Sequence, residues 1–534
     1  MGVTYQAKST EKAKLACIWI GIRKNDARHL GHNSGYYICP IPTLREVAMT
    51  RGTKGGVMDR SLTGLFLGAG ASYDVSMPLV WELTSELKKW LTAEKLKLFN
   101  VGWRQQGEGH SDEVIEDFLS VLAREDLHYE SVLGYLDVQA RRRSSKASEY
   151  HSLYTWLVEI IYYKLYFRHI HGAGFIVRHL EWYKGIVRLY EENEPLWVFS
   201  LNHDSIIEMV AQKFSIPLFS GLFASDIKLP RRDMAGNVVG HIAVETIDQK
   251  TLDHGAMNFP NPAKKGIYLL KLHGALDVFT FNEGHDLMKL LPDGETPEAV
   301  VSVLRAANEE LVYLAPGMPG GKVKALNEIA YADSDGEMQF LRRSLLSGAR
   351  KFHEHATQVL PKSMLKHFKA NINFISKLVC VGYGFGDHHV NEVLKEWLEF
   401  SSDRSIEIVN PSLRDIPSFL LHLAPQVRIV NLGATEYFDC VAGIERTEAE
   451  LLSKQISAAS RRAGHQRSAL ILEEFRQEEE RRTEDAVLRT IELYKNMEAC
   501  DEDQVNELVR KLKAETDGSD VEYSKRLLAR FKET

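Results

Sequence analysis

Six short apolar runs most constrain what this chain can fold into: Leu62–Leu67, Leu196–Ser200, Ile267–Leu272, Leu378–Val381, Ile406–Val409 and Val427–Asn431. They are rich in Leu, Val and Ile, too short for ordinary helices, and separated by stretches with helical spacing. Such runs belong to parallel strands that are covered by helices on both faces. The pattern therefore predicts an α/β fold built on a parallel sheet. Ligands of open α/β sheets bind beyond the carboxyl ends of the strands, so the residues just after each run carry most of the functional information.

Four of the runs lead directly into distinctive residues: Gly68-Ala69-Gly70-Ala71-Ser72, Leu201-Asn202-His203-Asp204, His273-Gly274, and Gly382-Tyr383-Gly384-Phe385-Gly386-Asp387. A glycine turn between strand and helix lets backbone N–H groups approach an anion. A dinucleotide fingerprint would place a third glycine three residues after Gly70, where Tyr73 stands. That excludes the usual dehydrogenase turn, and Ser72 offers a hydroxyl to phosphate or ribose instead. Asn202 and Asp204 share a face if the chain is still extended there. An amide suits a ribose hydroxyl or a water, and a carboxylate suits positive charge, although Asp204 is also placed to cap a helix. His273 ends a strand, and imidazole titrates in the range suited to a general base. Any one of the 20 histidines is more often ordinary than catalytic; only the series of motifs raises this one. Together they point to a single nucleotide site.

The 534 residues suggest roughly three domains. Residues 1–60 lack clear periodicity and read as an extension. The strand-and-helix pattern runs over 61–442, interrupted at about 95–195 by a long helical insertion whose aromatic stretch His151–Arg168 reads as helix packing. Pro78–Leu91 reads as an amphipathic helix opened by its proline. Ala315–Lys322 is a loop by composition, more in keeping with a surface connection than a lid. Residues 443–534 are charged and helix-prone, either a solvated tail or an arm for oligomerisation or partner docking.

A net charge of −7 gives no global drive toward nucleic acid or an anionic membrane. No apolar run approaches the roughly 20 residues needed to span a bilayer, and no clean signal peptide is present, so a cytoplasmic protein is expected. The five cysteines are scattered without a C-x-x-C pair, which argues against a disulfide framework and a zinc ribbon. No metal is expected, and Cys380 reads as a small buried hydrophobe.

In this order, Gly68–Ser72 with Pro78 downstream, Ser200-Leu201-Asn202-His203-Asp204, Lys271-Leu272-His273-Gly274, Gly382–Asp387 and Ile406-Glu407-Ile408-Val409-Asn410 resemble the sirtuin family over about residues 68–432. The resemblance is closest to bacterial sirtuin-like proteins, many of which serve in anti-phage defence as NAD⁺ hydrolases. It implies a Rossmann-like sheet with a helical second lobe and NAD⁺ bound between them. It implies that Gly68, Ala69, Gly70 and Ser72 hold the diphosphate and neighbouring ribose, and that Asn202 and Asp204 face the nicotinamide ribose and nicotinamide. His273 would be the catalytic histidine, Gly382 and Gly384 would line the cofactor, and Asn410 would meet the adenosine ribose.

Sirtuin deacylases continue G-I-P-D-F-R where this chain has Ser76-Met77-Pro78-Leu79-Val80-Trp81, and the four zinc cysteines are missing. Both departures count against deacylation and leave the NAD⁺ pocket. The expected function is thus an NAD⁺ hydrolase giving nicotinamide and ADP-ribose, a regulated effector of anti-phage defence that depletes NAD⁺. It is expected to form a homo-oligomer and to answer to a partner such as a HerA-type ATPase or a phage-derived trigger, with no direct nucleic-acid binding. The alternatives are a non-catalytic NAD⁺ or ADP-ribose sensor that gates a partner, and an NAD-dependent deacylase.

Overall fold

The computed structural model describes residues 62–316, 321–345, 360–495 and 520–533. The extension at 1–60 lies outside them, as do residues 317–320 within the Ala315–Lys322 loop. All six apolar runs become strands of one parallel sheet. It comprises β1 (Thr63–Leu67), β2 (Leu196–Ser200), β3 (Leu218–Phe219), β6 (Ile267–Lys271), β11 (Lys377–Val381), β12 (Ser405–Val409) and β13 (Val427–Val430). Their order is β13-β12-β11-β1-β2-β6-β3, and every pairing is parallel. The fold is α/β with a Rossmann-like sheet.

Alternate side chains along these strands enter different cores, as the period of two requires. Phe66, Phe199, Leu270 and Cys380 pack with Phe368 of α10 (Leu360–Asn371) and Leu394 of α11 (His388–Glu399). Leu65, Val198, Leu269 and Val379 pack on the other face with α6 (Ile186–Glu192), α7 (Ile206–Lys213) and α12 (Ala434–Ala442). Each such side chain, fully buried, contributes about 1.5–3 kcal/mol of transfer free energy. From β1 the chain proceeds to β2 and β6 on one side, and it later returns to β11 on the other. The sheet thus has its topological switch point between β1 and β11, the place where such sheets hold ligands.

The insertion is helical, as its spacing predicts. α2 (Ala93–Gln105), α3 (Asp112–Ala123), α4 (Tyr129–Arg141) and the 33-residue α5 (Ala147–His179) join α1 (Val80–Trp90) around their own core, which includes Leu83, Phe118, Leu133, Leu157 and Tyr162. The expectation that Pro78 opens α1 is corrected. The helix starts at Val80, where the Leu79 N–H donates to the Glu82 carboxylate at 3.0 Å, and Pro78 stays in the preceding loop.

A second sheet was not expected. β4 (Phe223–Arg232), β5 (Val238–Ile247), β7 (Val278–Phe281), β8 (Asp286–Leu290), β9 (Glu328–Ala332) and β10 (Met338–Arg343) form an antiparallel sheet in the order β4-β5-β8-β7-β10-β9. Its inner residues Ile242, Val244, Phe279 and Leu341 pack with Val303 and Ala307 of α9 (Pro297–Glu309). The short α8 (Gln249–His254) comes after β5. The described ends of the Ala315–Lys322 loop meet in a bridge between Leu314 and Lys322.

The charged C-terminal region is helical and carries a small core of its own. Leu452 and Ala459 of α13 (Glu448–Ala463), Ile471 and Phe475 of α14 (His465–Lys495), and Leu528 and Phe531 of α15 (Asp520–Lys532) pack together. α13 and the turn before it also grip the body. Arg446 forks onto Asp439 at 2.7 and 3.0 Å, and Arg461 donates to the Met77 carbonyl and pairs with Glu82, each at 2.8 Å. Among the described residues no helix is long and apolar enough to cross a membrane.

Candidate nucleotide site

Two glycine loops touch at the point where the sheet divides. The Gly68 N–H donates to the Val381 carbonyl at 3.0 Å, and the Gly70 N–H donates to the Gly382 carbonyl at 3.0 Å. Gly382 has φ of +64°, and a Cβ there would meet the Gly70 carbonyl carbon and the Ala71 nitrogen at 2.4 Å. Backbone against backbone leaves no room for a side chain to yield. This alters the reading of the first motif. The Gly68 and Gly70 amides bind the neighbouring loop, so what glycine supplies at these positions is the close approach of two loops. A 3₁₀ segment, Ala69–Val75, continues from there.

The second loop is fixed from several sides. The Asn202 Nδ2 group donates to Ser72 Oγ at 3.2 Å, and the Asn202 N–H donates to Ser200 Oγ at 3.1 Å. Ser72 is thus engaged in orienting Asn202. Asp204 Oδ1 accepts the Ile206 N–H at 3.1 Å, the turn that starts α7. The expectation that Asp204 caps the helix is corrected: Ser205 is the cap, and Asp204 braces the turn before it while lining the cavity. Beneath the loop, His169 of α5 accepts the Ser205 N–H on Nε2 at 3.2 Å, and its Nδ1 lies 2.9 Å from the Leu165 carbonyl. A carbonyl only accepts, so the proton of this imidazole is on Nδ1. Burial holds His169 below its usual pKa, against the pull of Asp204.

The third loop is bound to the second. The Leu276 N–H donates to the His203 carbonyl at 3.0 Å, and His203 Nδ1 lies 3.3 Å from the Gly274 carbonyl. Gly274 has φ of +73°, and a Cβ would lie 2.0 Å from the Ser344 carbonyl oxygen, so only glycine allows the chain to turn after His273. Lys271 donates to the Asp204 carbonyl and pairs with Glu208 at 3.1 Å. Lys289 bonds Asp277 and lies 3.4 Å from Glu208. Although burial pulls the other way, Asp277 and Glu208 hold the Lys289 ammonium well above its ordinary pKa. This buried network fastens the bases of both loops.

Around these loops lies a cavity of about 500 Å³, within the usual range for small-molecule sites. Gly68, Ala69, Asn202, Asp204, His273, Gly382 and Gly384 all line it. Gly70 and Ser72 sit behind that lining. Asn410 lies outside it, with its side chain accepting the Ser412 N–H at 2.9 Å. The insertion supplies further lining through His128, Tyr129, Glu130 and Ser131 at the start of α4. Among the described residues, the carboxylates of Glu130, Asp204 and Asp387 line the cavity, and no lysine or arginine does.

Sequence reasoning missed His169, Glu130 and Asp387 as members of this region. His169 and Glu130 carry no local signal, because α5 and α4 bring them in from the insertion. Asp387 closes the Gly382–Asp387 motif and was legible there. Its carboxylate caps α11, accepting the Val390 N–H at 3.3 Å, and stands 3.0 Å from His273 Nε2.

No protein-family model matches the chain, and a search of curated proteins finds no match.

Proposed function

We propose that this cavity binds NAD⁺ and that the chain cleaves the nicotinamide–ribose bond, releasing nicotinamide and ADP-ribose. One observation carries the reading: Asn202, Asp204 and His273, from two different strand ends, line one cavity at the sheet's dividing point together with the two glycine loops. Glu130, Asp204 and Asp387 in the lining suit a reaction centre that is itself cationic.

The bond breaks with its electron pair on the pyridinium nitrogen, so the leaving group departs neutral and needs no strong acid. Positive charge then builds on the ribose, where the carboxylate of Asp204 stabilises it. The Asn202 amide, its Nδ2 held by Ser72, orients a ribose hydroxyl and the incoming water. His273 accepts the water's proton as the new C–O bond forms. The sirtuin resemblance assigns the diphosphate to the Gly68–Ser72 loop; of that loop Gly68 and Ala69 line the cavity and are the residues it would pass. A role in anti-phage defence, with a homo-oligomer and a triggering partner, rests on that resemblance alone.

Incubating the purified chain with NAD⁺ and resolving products by chromatography tests the proposal. Nicotinamide and ADP-ribose should appear in equal amounts, and His273→Ala and Asn202→Ala should each slow their release by about 10²–10⁴-fold. Equal turnover in both variants would remove these residues from the chemistry.

A further inference from the structure

We propose that Asp387 is the positioning residue of His273, forming a buried carboxylate–imidazole pair that holds the ring beside the cavity and stabilises the imidazolium formed in the chemistry. It builds on the NAD⁺-cleavage reading for the reaction, and on geometry alone for the pair. His273 Nε2 stands 3.0 Å from Asp387 Oδ2, with the two side chains only 4% and 12% exposed. The two residues come from opposite sides of the sheet's dividing point, one just after β6 and the other opening α11. That crevice is where a reacting group would sit.

Asp387 is itself firmly placed. Its Oδ1 accepts the Val390 N–H at 3.3 Å, and the single proton of the Tyr383 hydroxyl lies between Asn391 Oδ1 at 2.9 Å and the Asp387 carbonyl at 3.2 Å. The Asn391 Nδ2 group returns to the Phe385 carbonyl at 2.8 Å, with Phe385 at φ of +57°. The whole Gly382–Asp387 loop is thereby shaped to hold one carboxylate oxygen for the helix and present the other to the imidazole. This accounts for the last residue of the motif, which the NAD⁺ reading had left without a task.

The chemistry comes from charge: a carboxylate 3.0 Å from the ring favours the protonated, cationic imidazole over the neutral one. During cleavage the glycosidic electron pair leaves with nicotinamide, water forms the new bond to ribose, and its proton passes to the His273 imidazole. The imidazolium so formed is stabilised by the Asp387 carboxylate, which stays ionised, and then releases the proton to solvent. The other titratable groups that line the cavity are His128, Tyr129 and Glu130 at the start of α4, His203 and Asp204 after β2, Tyr383 after β11, and His388 and His389 on α11. Lys271 lies behind them on β6.

Asp387→Asn separates charge from capping, because asparagine caps helices about as well as aspartate. Asp387→Ser is a second uncharged cap if the first variant does not fold. Two readouts are taken on the full chain: nicotinamide release from NAD⁺, and the titration of the His273 imidazole by NMR, with its signal identified by its loss in His273→Ala. Loss of the carboxylate should lower kcat at least about 10²-fold with KM little changed. It should also lower the His273 pKa by about one unit or more. If His273 titrates as before, or kcat stays within about twofold, the pairing is overturned. If the unaltered chain releases no nicotinamide yet the His273 titration still falls on substitution, the pair stands and the NAD⁺-cleavage reading fails.

Discussion

The parallel sheet is covered by helices on both faces, whereas the antiparallel sheet buries Ile242, Val244 and Leu341 on one face and exposes His241, Ala243 and Phe340 on the other. The contrast extends to what the strands lead into. Strand ends of the first sheet converge on the cavity, while no residue of β4, β5, β7, β8, β9 or β10 lines it. A sheet closed on both faces can present chemistry only at its edge, and there the buried polar groups are held by specific partners. The second sheet supplies a folded body beside that edge. It is tied to that edge through Lys289 of β8, which shares Glu208 with Lys271, through Glu245 of β5, which accepts the Ser220 hydroxyl, and through Ile247, Val278 and Leu287, which pack into the core of the parallel sheet.

The largest effect that would break this division is a change in chemistry from a residue of the second sheet. Ile242→Ala removes a side chain buried on β5. It should cost about 2–5 kcal/mol of stability, read by denaturant unfolding, while the folded protein keeps the kcat of the unaltered chain. A fall in kcat matching that of His273→Ala would mean that the sheets do not divide the work.

A smaller effect sharpens the comparison from the other side. His169, fully buried under the Asn202–Asp204 loop, is held neutral, with its folded pKa below that of the unfolded chain. Above the unfolded value of about 6.5 both states are neutral there and the group contributes no pH dependence. As pH falls below it, the unfolded chain takes up a proton that the folded one refuses. Stability then declines by up to about 1.4 kcal/mol per pH unit from this residue. Unfolding free energies measured between pH 7 and 5 should slope downward toward acid, and His169→Gln should flatten that slope. An unchanged slope in the variant would show that His169 does not link the insertion to the site loop in this way.

Six of the seven parallel strands were legible because they are apolar runs that lead into a glycine, asparagine or histidine, whereas the two-residue β3 is too short to leave such a signal. The antiparallel strands were not legible, because half of each faces water and a search for apolar runs passes over them. Their signal was alternation, as in His241-Ile242-Ala243-Val244, bounded by turn residues. Asp233 accepts the Ala235 and Asn237 N–H groups at 2.9 Å, and Asp333 accepts those of Asp335 and Glu337 at 3.0 and 2.9 Å; both are Asp-led hairpin turns. At the site, the motifs located Asn202, Asp204 and His273 because the strand before each motif fixes where its residues emerge from the sheet. They did not disclose that Gly68 and Gly70 bond the opposite loop, or that Ser72 holds Asn202. Those facts depend on which strands become neighbours. His169 and Glu130 were further out of reach, since only the packing of α5 and α4 brings them near.

The most direct test of the account is a crystal structure of His273→Ala with NAD⁺ bound. The nicotinamide ribose should lie in the cavity between the Asn202 amide and the vacated position of the His273 ring, with Asp204 facing its anomeric carbon. NAD⁺ bound elsewhere on the chain, or lying in this cavity with its adenine end toward Asn202, would contradict the account.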